Sequence, residues 1–174
     1  MGNSDKKIIG WAKEVLKIEA EAISILISRV DDNFIKASQI LYKCKSRIVV
    51  TGMGKAGMIA NKFSATLASC GIPSIWLHPA EALHGDLGRV VKDDVVVALS
   101  YSGETDEIKN LIPFLKRIGA KIISITGNKK STLASFSDVT LDVEIEKEAC
   151  SLGLAPTTST TAMLALTDAL SVTL

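Results

Sequence analysis

Cysteine is scarce in this chain of 174 residues, where Cys44, Cys70 and Cys150 form an odd, widely spaced set without a CxxC pair. Such a set argues against a disulfide framework and a zinc cage, and fits a reducing cytoplasm. An excess of one charge is lacking too. Twenty basic side chains stand against 19 acidic ones, and the 5% of aromatic residues are too scattered to interleave with a basic stripe. Nucleic acid is therefore not an expected partner. No apolar run approaches the ~20 residues of a membrane span, and "MGNSDKKIIGW" has no apolar signal-peptide core. No membrane is expected as a partner, and a cytoplasmic location is. Internal repeats, low-complexity tracts and linkers are also missing.

What is present is a globular composition, 47% apolar and 22% charged, long enough for one domain with a full core. From Ser4 to about Arg29 the residues Ile8, Trp11, Val15, Ile18, Ala22 and Ile25 recur every three or four positions. That period predicts a long amphipathic helix with one buried face. Asp31, Asp32 and Asn33 then offer caps for a second helix running to about Lys45. Five β-rich runs follow, at 47–51, 73–77, 94–100, 121–126 and 139–143, separated by segments of helical character. The alternation predicts an α/β fold, a doubly wound five-stranded parallel sheet flanked by helices. "RIVV" and "VVVAL" are apolar at consecutive positions, as strands covered on both faces should be. A last helix is expected from the hydroxyl run at 157–161 to the final residue.

Ligands of open α/β sheets bind outside the carboxyl ends of the strands, so the loops after the strands carry the chemistry. In "TGMGKAG", residues 51–57, Gly52 and Gly54 allow close backbone approach at a helix N-terminus. With Gly57 the loop formally matches a dinucleotide fingerprint, but no acidic residue ends the next strand to hold a ribose. Lys55 opens the following helix, where a cation gains nothing from the helix dipole.

In "LSYSGETDEI", residues 99–108, the hydroxyls of Ser100, Ser102 and Thr105 and the amides around Gly103 and Glu104 can converge on one anion. Capping would need only one hydroxyl. Glu104 and Glu107, three apart, are placed on one helical face. In "EIEKEACSLGLAPTTSTT", residues 144–161, Glu148 precedes a hydroxyl run that includes Thr158 and Ser159; anion binding and plain capping both explain that run. "LHPAEALHGDLG", residues 77–88, holds both histidines, His78 and His84, beside Glu81 and Asp86. Metal binding or proton transfer would use them, but the spacing is no recognised zinc pattern, and no metal is expected.

"VVTGMGKAG", "HPAEALHGDLG", "ALSYSGETDEI", "SITGNKKSTLA" and "KEACSLGLAPTTSTTAMLALTDAL" resemble the sugar isomerase (SIS) domain of bacterial arabinose-5-phosphate isomerases. The resemblance runs in order from about residue 10 to the end of the chain. It implies a flavodoxin-like three-layer sandwich, with residues 1–46 as helices packing on a domain at 47–174. It also implies interconversion of D-ribulose 5-phosphate and D-arabinose 5-phosphate, for the octulosonate (Kdo) of lipopolysaccharide or of capsules. No cofactor and a homotetrameric assembly belong to the same expectation.

Carried over by position, the active-site lysine falls on Lys55 and the two active-site glutamates on Glu107 and Glu148. The phosphate cradle falls on Ser100, Ser102 and Thr105, with Gly54, Gly103, Thr158 and Ser159 beside it. His84 and His78 are further candidates. The family also has an active-site histidine and CBS domains beyond the point where this chain ends, at Leu174.

The chemistry agrees with this assignment. Moving a proton between C1 and C2 through an enediolate needs a carboxylate base and donors for the developing oxyanion. Burial is expected to raise a glutamate toward the working pH. Two other readings remain, a non-catalytic sugar-phosphate-binding regulatory domain and a hexulose-phosphate isomerase on the same fold.

Overall fold

A computed structural model describes residues 3–174. Five strands, β1 (Ile48–Gly52), β2 (Ser74–Leu77), β3 (Val95–Leu99), β4 (Lys121–Thr126) and β5 (Val139–Asp142), form one parallel sheet in the order β2-β1-β3-β4-β5. β1 and β3 are buried at every position, which explains their unbroken apolar runs.

One face of the sheet is covered by α2 (Asp32–Tyr42), α3 (Gly54–Ser69) and α7 (Thr158–Thr173), which contribute Phe34, Phe63, Leu67, Met163 and Leu170 to the core. The other face lies under α4 (Pro79–Leu83), α5 (Asp106–Ile118) and α6 (Thr132–Phe136), packed through Ala82, Leu111, Leu115 and Leu133. Asp31 caps α2 by accepting from the amides of Asn33 and Phe34 at 2.8 and 3.4 Å. α2 ends at Tyr42, three residues short of the expected Lys45.

The first helix, α1 (Asn3–Ile27), differs from expectation. Only Ala22 and Leu26 are buried, while Ile8, Trp11 and Ile25 on the face expected inside are exposed, as is Leu16. α1 packs on α7 and leaves Ile8, Trp11, Leu16 and Ile27 exposed.

The chain runs from β1 out to β2 at one edge, then returns past β1 to β3 on the other side. This reversal opens a crevice between the carboxyl ends of β1 and β3, the place where ligands of doubly wound sheets bind.

Candidate functional site

A cleft of about 400 Å³ lies at that crevice, lined by Gly54, Lys55, Ser100, Ser102, Thr105 and Glu148, among others. Three helices point their N-termini into it: α3 through Met53–Ala56, α5 through Thr105, and α7 through Ser159 and Thr160. Each N-terminus brings its first-turn amides and the positive end of a helix dipole.

The α3 terminus is open, because its capping position is Met53, which makes no side-chain bond to the first turn. The glycines around it have separate reasons. Gly54 takes φ +59°, and a Cβ on Gly57 would stand 2.5 Å from the carbonyl oxygen of Gly52. The fingerprint-like spacing thus serves the close packing of α3 on β1.

The loop after β3 is partly satisfied by itself. Ser100 Oγ lies 2.7 Å from Thr105 Oγ1 and accepts from the Gly103 amide at 3.1 Å, while Ser102 Oγ accepts from the Glu104 amide at 3.1 Å. The amides of Gly103 and Glu104, expected as free donors, are therefore already engaged. Gly103 has φ +67°, and a Cβ there would overlap Ser131 Oγ. It fixes the loop against the N-terminus of α6 and does not line the cleft. Thr105 occupies the capping position of α5 without bonding its amides, so this terminus too stays open.

Glu104 lies outside α5, and so does not share a helical face with Glu107. Its carboxylate accepts from the Thr132 amide at 2.6 Å and the Thr132 hydroxyl at 2.9 Å, and these bonds hold it below its ordinary pKa.

Glu148 is the carboxylate of the cleft. One oxygen accepts from the Thr157 amide at 2.9 Å, the Thr157 hydroxyl at 3.1 Å and the Ser159 amide at 3.3 Å, and the other from the Ser159 hydroxyl. Desolvation, the largest single influence, pushes its pKa up. The bonds from Ser159 and Thr157 together outweigh that and hold the carboxyl below its ordinary range. The expected upward shift is thus reversed in direction. The hydroxyl run does hold an anion, and the anion is the chain's own glutamate.

Several expected residues stand elsewhere. Thr158 is buried and turned away, its hydroxyl accepting from the Ala149 amide at 3.0 Å. Glu107, in the first turn of α5, does not line the cleft. His78 and His84 flank α4; His84 is exposed, and His78 meets the Trp76 ring edge-on at 5.6 Å with its Nδ1 buried and unpartnered. Neither lines the cleft, and among the described residues no group of three His, Cys, Asp or Glu side chains is placed to hold a metal ion.

Tyr101 is a cleft residue that the sequence did not single out. Its hydroxyl accepts from the Ile145 amide at 3.2 Å, tying the loop after β3 to the segment that leads to Glu148. An aromatic residue set between two hydroxyl residues was the available signal.

Fold and cleft together define a doubly wound α/β domain with its polar crevice at the strand-order reversal. The family model described as SIS domain matches residues 40–173, and the chain belongs to the SIS domain family. Arabinose 5-phosphate isomerase KdsD of Pseudomonas aeruginosa is 51% identical over 163 residues, covering 94% of this chain and 50% of that protein. The protein of the same name from Escherichia coli K12 is 52% identical over 162 residues, 93% of this chain and 49% of its own. The chain spans about half the length of the curated relatives it matches. Among solved structures, Escherichia coli CFT073 c3406 in complex with arabinose 5-phosphate superposes with a TM-score of 0.93 at 40% identity, covering 99% of this chain and 91% of that one.

Proposed function

We propose that this chain is an aldose–ketose isomerase that interconverts D-ribulose 5-phosphate and D-arabinose 5-phosphate. The carrying observation is the convergence of Lys55, Glu148 and the hydroxyls of Ser100, Ser102 and Thr105 on one cleft. The named activity of the relatives and the arabinose 5-phosphate complex of the similar structure supply the substrate. They favour catalysis of this reaction over the regulatory and hexulose-phosphate readings.

In this reading the substrate phosphate sits on the hydroxyl loop and the open N-terminus of α3, and anchoring there positions the reacting carbons. Glu148 takes the proton from C1 of the ketose and returns it to C2, while the Lys55 ammonium stabilises the enediolate oxygen. Held ionised, Glu148 is ready to accept a proton; loosening of its bonds to Ser159 and Thr157 as substrate enters would strengthen it as a base. Glu107, which does not line the cleft, is given no part in this step.

The assignment extends to a homotetramer in the cytoplasm, with residues 1–46 as packing helices, no cofactor and a product destined for octulosonate. The exposed apolar face of α1 supports assembly.

Incubation with D-ribulose 5-phosphate in deuterated water, followed by proton NMR, tests the activity. Arabinose 5-phosphate should appear with deuterium at C2, and Glu148→Gln should slow turnover by at least about thirtyfold, an effect of roughly 2 kcal/mol. Absence of turnover in the unaltered chain, with the substrate bound, would leave a binding domain. An unslowed Glu148→Gln variant would remove Glu148 from the proton transfer.

A further inference from the structure

A hollow of about 560 Å³ lies on the opposite edge of the sheet, at the amino ends of β3, β4 and β5. Five lysines line it: Lys36, Lys43, Lys45, Lys92 and Lys121. All five are exposed, and among the described residues none of them makes an ion pair. For a chain of formal net charge +1 this is a marked concentration of one sign.

Of the carboxylates there, two are already engaged. Asp94 is buried, accepts from the amides of Arg47 and Val91 at 3.1 and 2.9 Å, and faces the Arg47 guanidinium at 3.8 Å. Asp138 accepts from the Ile122 amide at 2.8 Å and faces Lys116 at 3.7 Å. Asp93 alone is left to oppose the five ammonium groups.

Helix ends explain part of the pattern. Lys43 caps the C-terminus of α2 and Lys92 passes beside Gly119, the cap of α5, where cations are favoured. Lys36 within α2, Lys45 beyond it and Lys121 at the head of β4 have no such reason to face one hollow. Beneath the ammonium rim the wall includes Ile40, Val95 and Val139.

We propose that this edge is a second anion site, taking a small organic polyphosphate: two or more phosphate groups for the lysines and a ring body for the apolar wall. The size suits such a ligand, and lysine binds phosphate as a point charge. β3 spans five residues, about 17 Å, between this edge and the cleft, so both sites can be filled at once.

Calorimetric titration with adenosine diphosphate, with the cleft saturated by D-arabinose 5-phosphate, tests the site. The expected result is binding that weakens with added salt and falls about tenfold or more in the Lys43→Glu/Lys121→Glu variant. That variant should still bind arabinose 5-phosphate, which verifies its fold, and Ser102→Ala should leave the nucleotide affinity unchanged. Absence of nucleotide binding with the cleft filled, an unchanged affinity in the lysine variant, or a loss in Ser102→Ala would each overturn the proposal. Failure of arabinose 5-phosphate itself to bind would count against the isomerase reading; nucleotide titration of Ser102→Ala then reads the lysine edge alone.

Discussion

Glu148 occupies a position where two tasks meet, closing the N-terminus of α7 and presenting a carboxylate to the cleft. Its lowered pKa fixes the sign of its contribution to stability. That contribution is fully present above the ordinary carboxylate range and is lost as pH falls through the folded-state value. Ser159→Ala removes one of the four donors to Glu148, the Ser159 hydroxyl, while the Ser159 amide and both Thr157 donors remain. The variant should cost about 1 kcal/mol at neutral pH in denaturant titration. It should also raise the Glu148 pKa, moving the acid limb of the kcat/KM profile to higher pH, with Ser159→Thr restoring it. A role of Ser159 in packing alone would leave that limb in place. At this scale the sequence was informative about which residues reach the cleft and poor about what they touch. Lys55, Ser100, Ser102 and Glu148 were legible because loops after strands face the crevice. The grip of Thr157 and Ser159 on Glu148 was not, because it depends on a loop bent back across nine to eleven residues.

Elements tell a complementary story. The five strands were legible within a residue or so of their ends, since consecutive apolar residues admit few alternatives in a chain of this length. Periodicity also found α1, but it reports that a face is apolar and not what covers it. Trp11 is 67% exposed and Leu16 66%, an arrangement costly for an isolated chain and natural for one that assembles. If α1 joins subunits as proposed, Trp11→Glu should shift the mass measured by light scattering from that of a tetramer to a smaller species. The sheet and cleft should survive, because Trp11 lies outside the core. An unchanged mass would place the subunit contacts elsewhere.

For the molecule as a whole, alternating strands and helices are compatible with several windings, and it was the family resemblance, not the periodicity, that implied the flavodoxin-like strand order. The order found is what sets the loops after β1 and β3 side by side and brings three helix N-termini to one crevice. Ligand binding there should stabilise the entire fold. Arabinose 5-phosphate at ten times its Kd should add about 1.4 kcal/mol, a rise in Tm of roughly 3–6 °C by calorimetry. The slowed Glu148→Gln variant should keep most of that rise, because the phosphate loop is intact.

α7 carries the last consequence. No proline or glycine interrupts its 16 residues, which span roughly 24 Å. Its first turn is gripped by Glu148, and at its far end Leu174 lines a hollow together with Leu41, Ile48 and Cys44, the last of which also lines the lysine-rimmed hollow. One uninterrupted helix therefore joins the cleft, where Glu148 holds its first turn, to the opposite edge of the sheet.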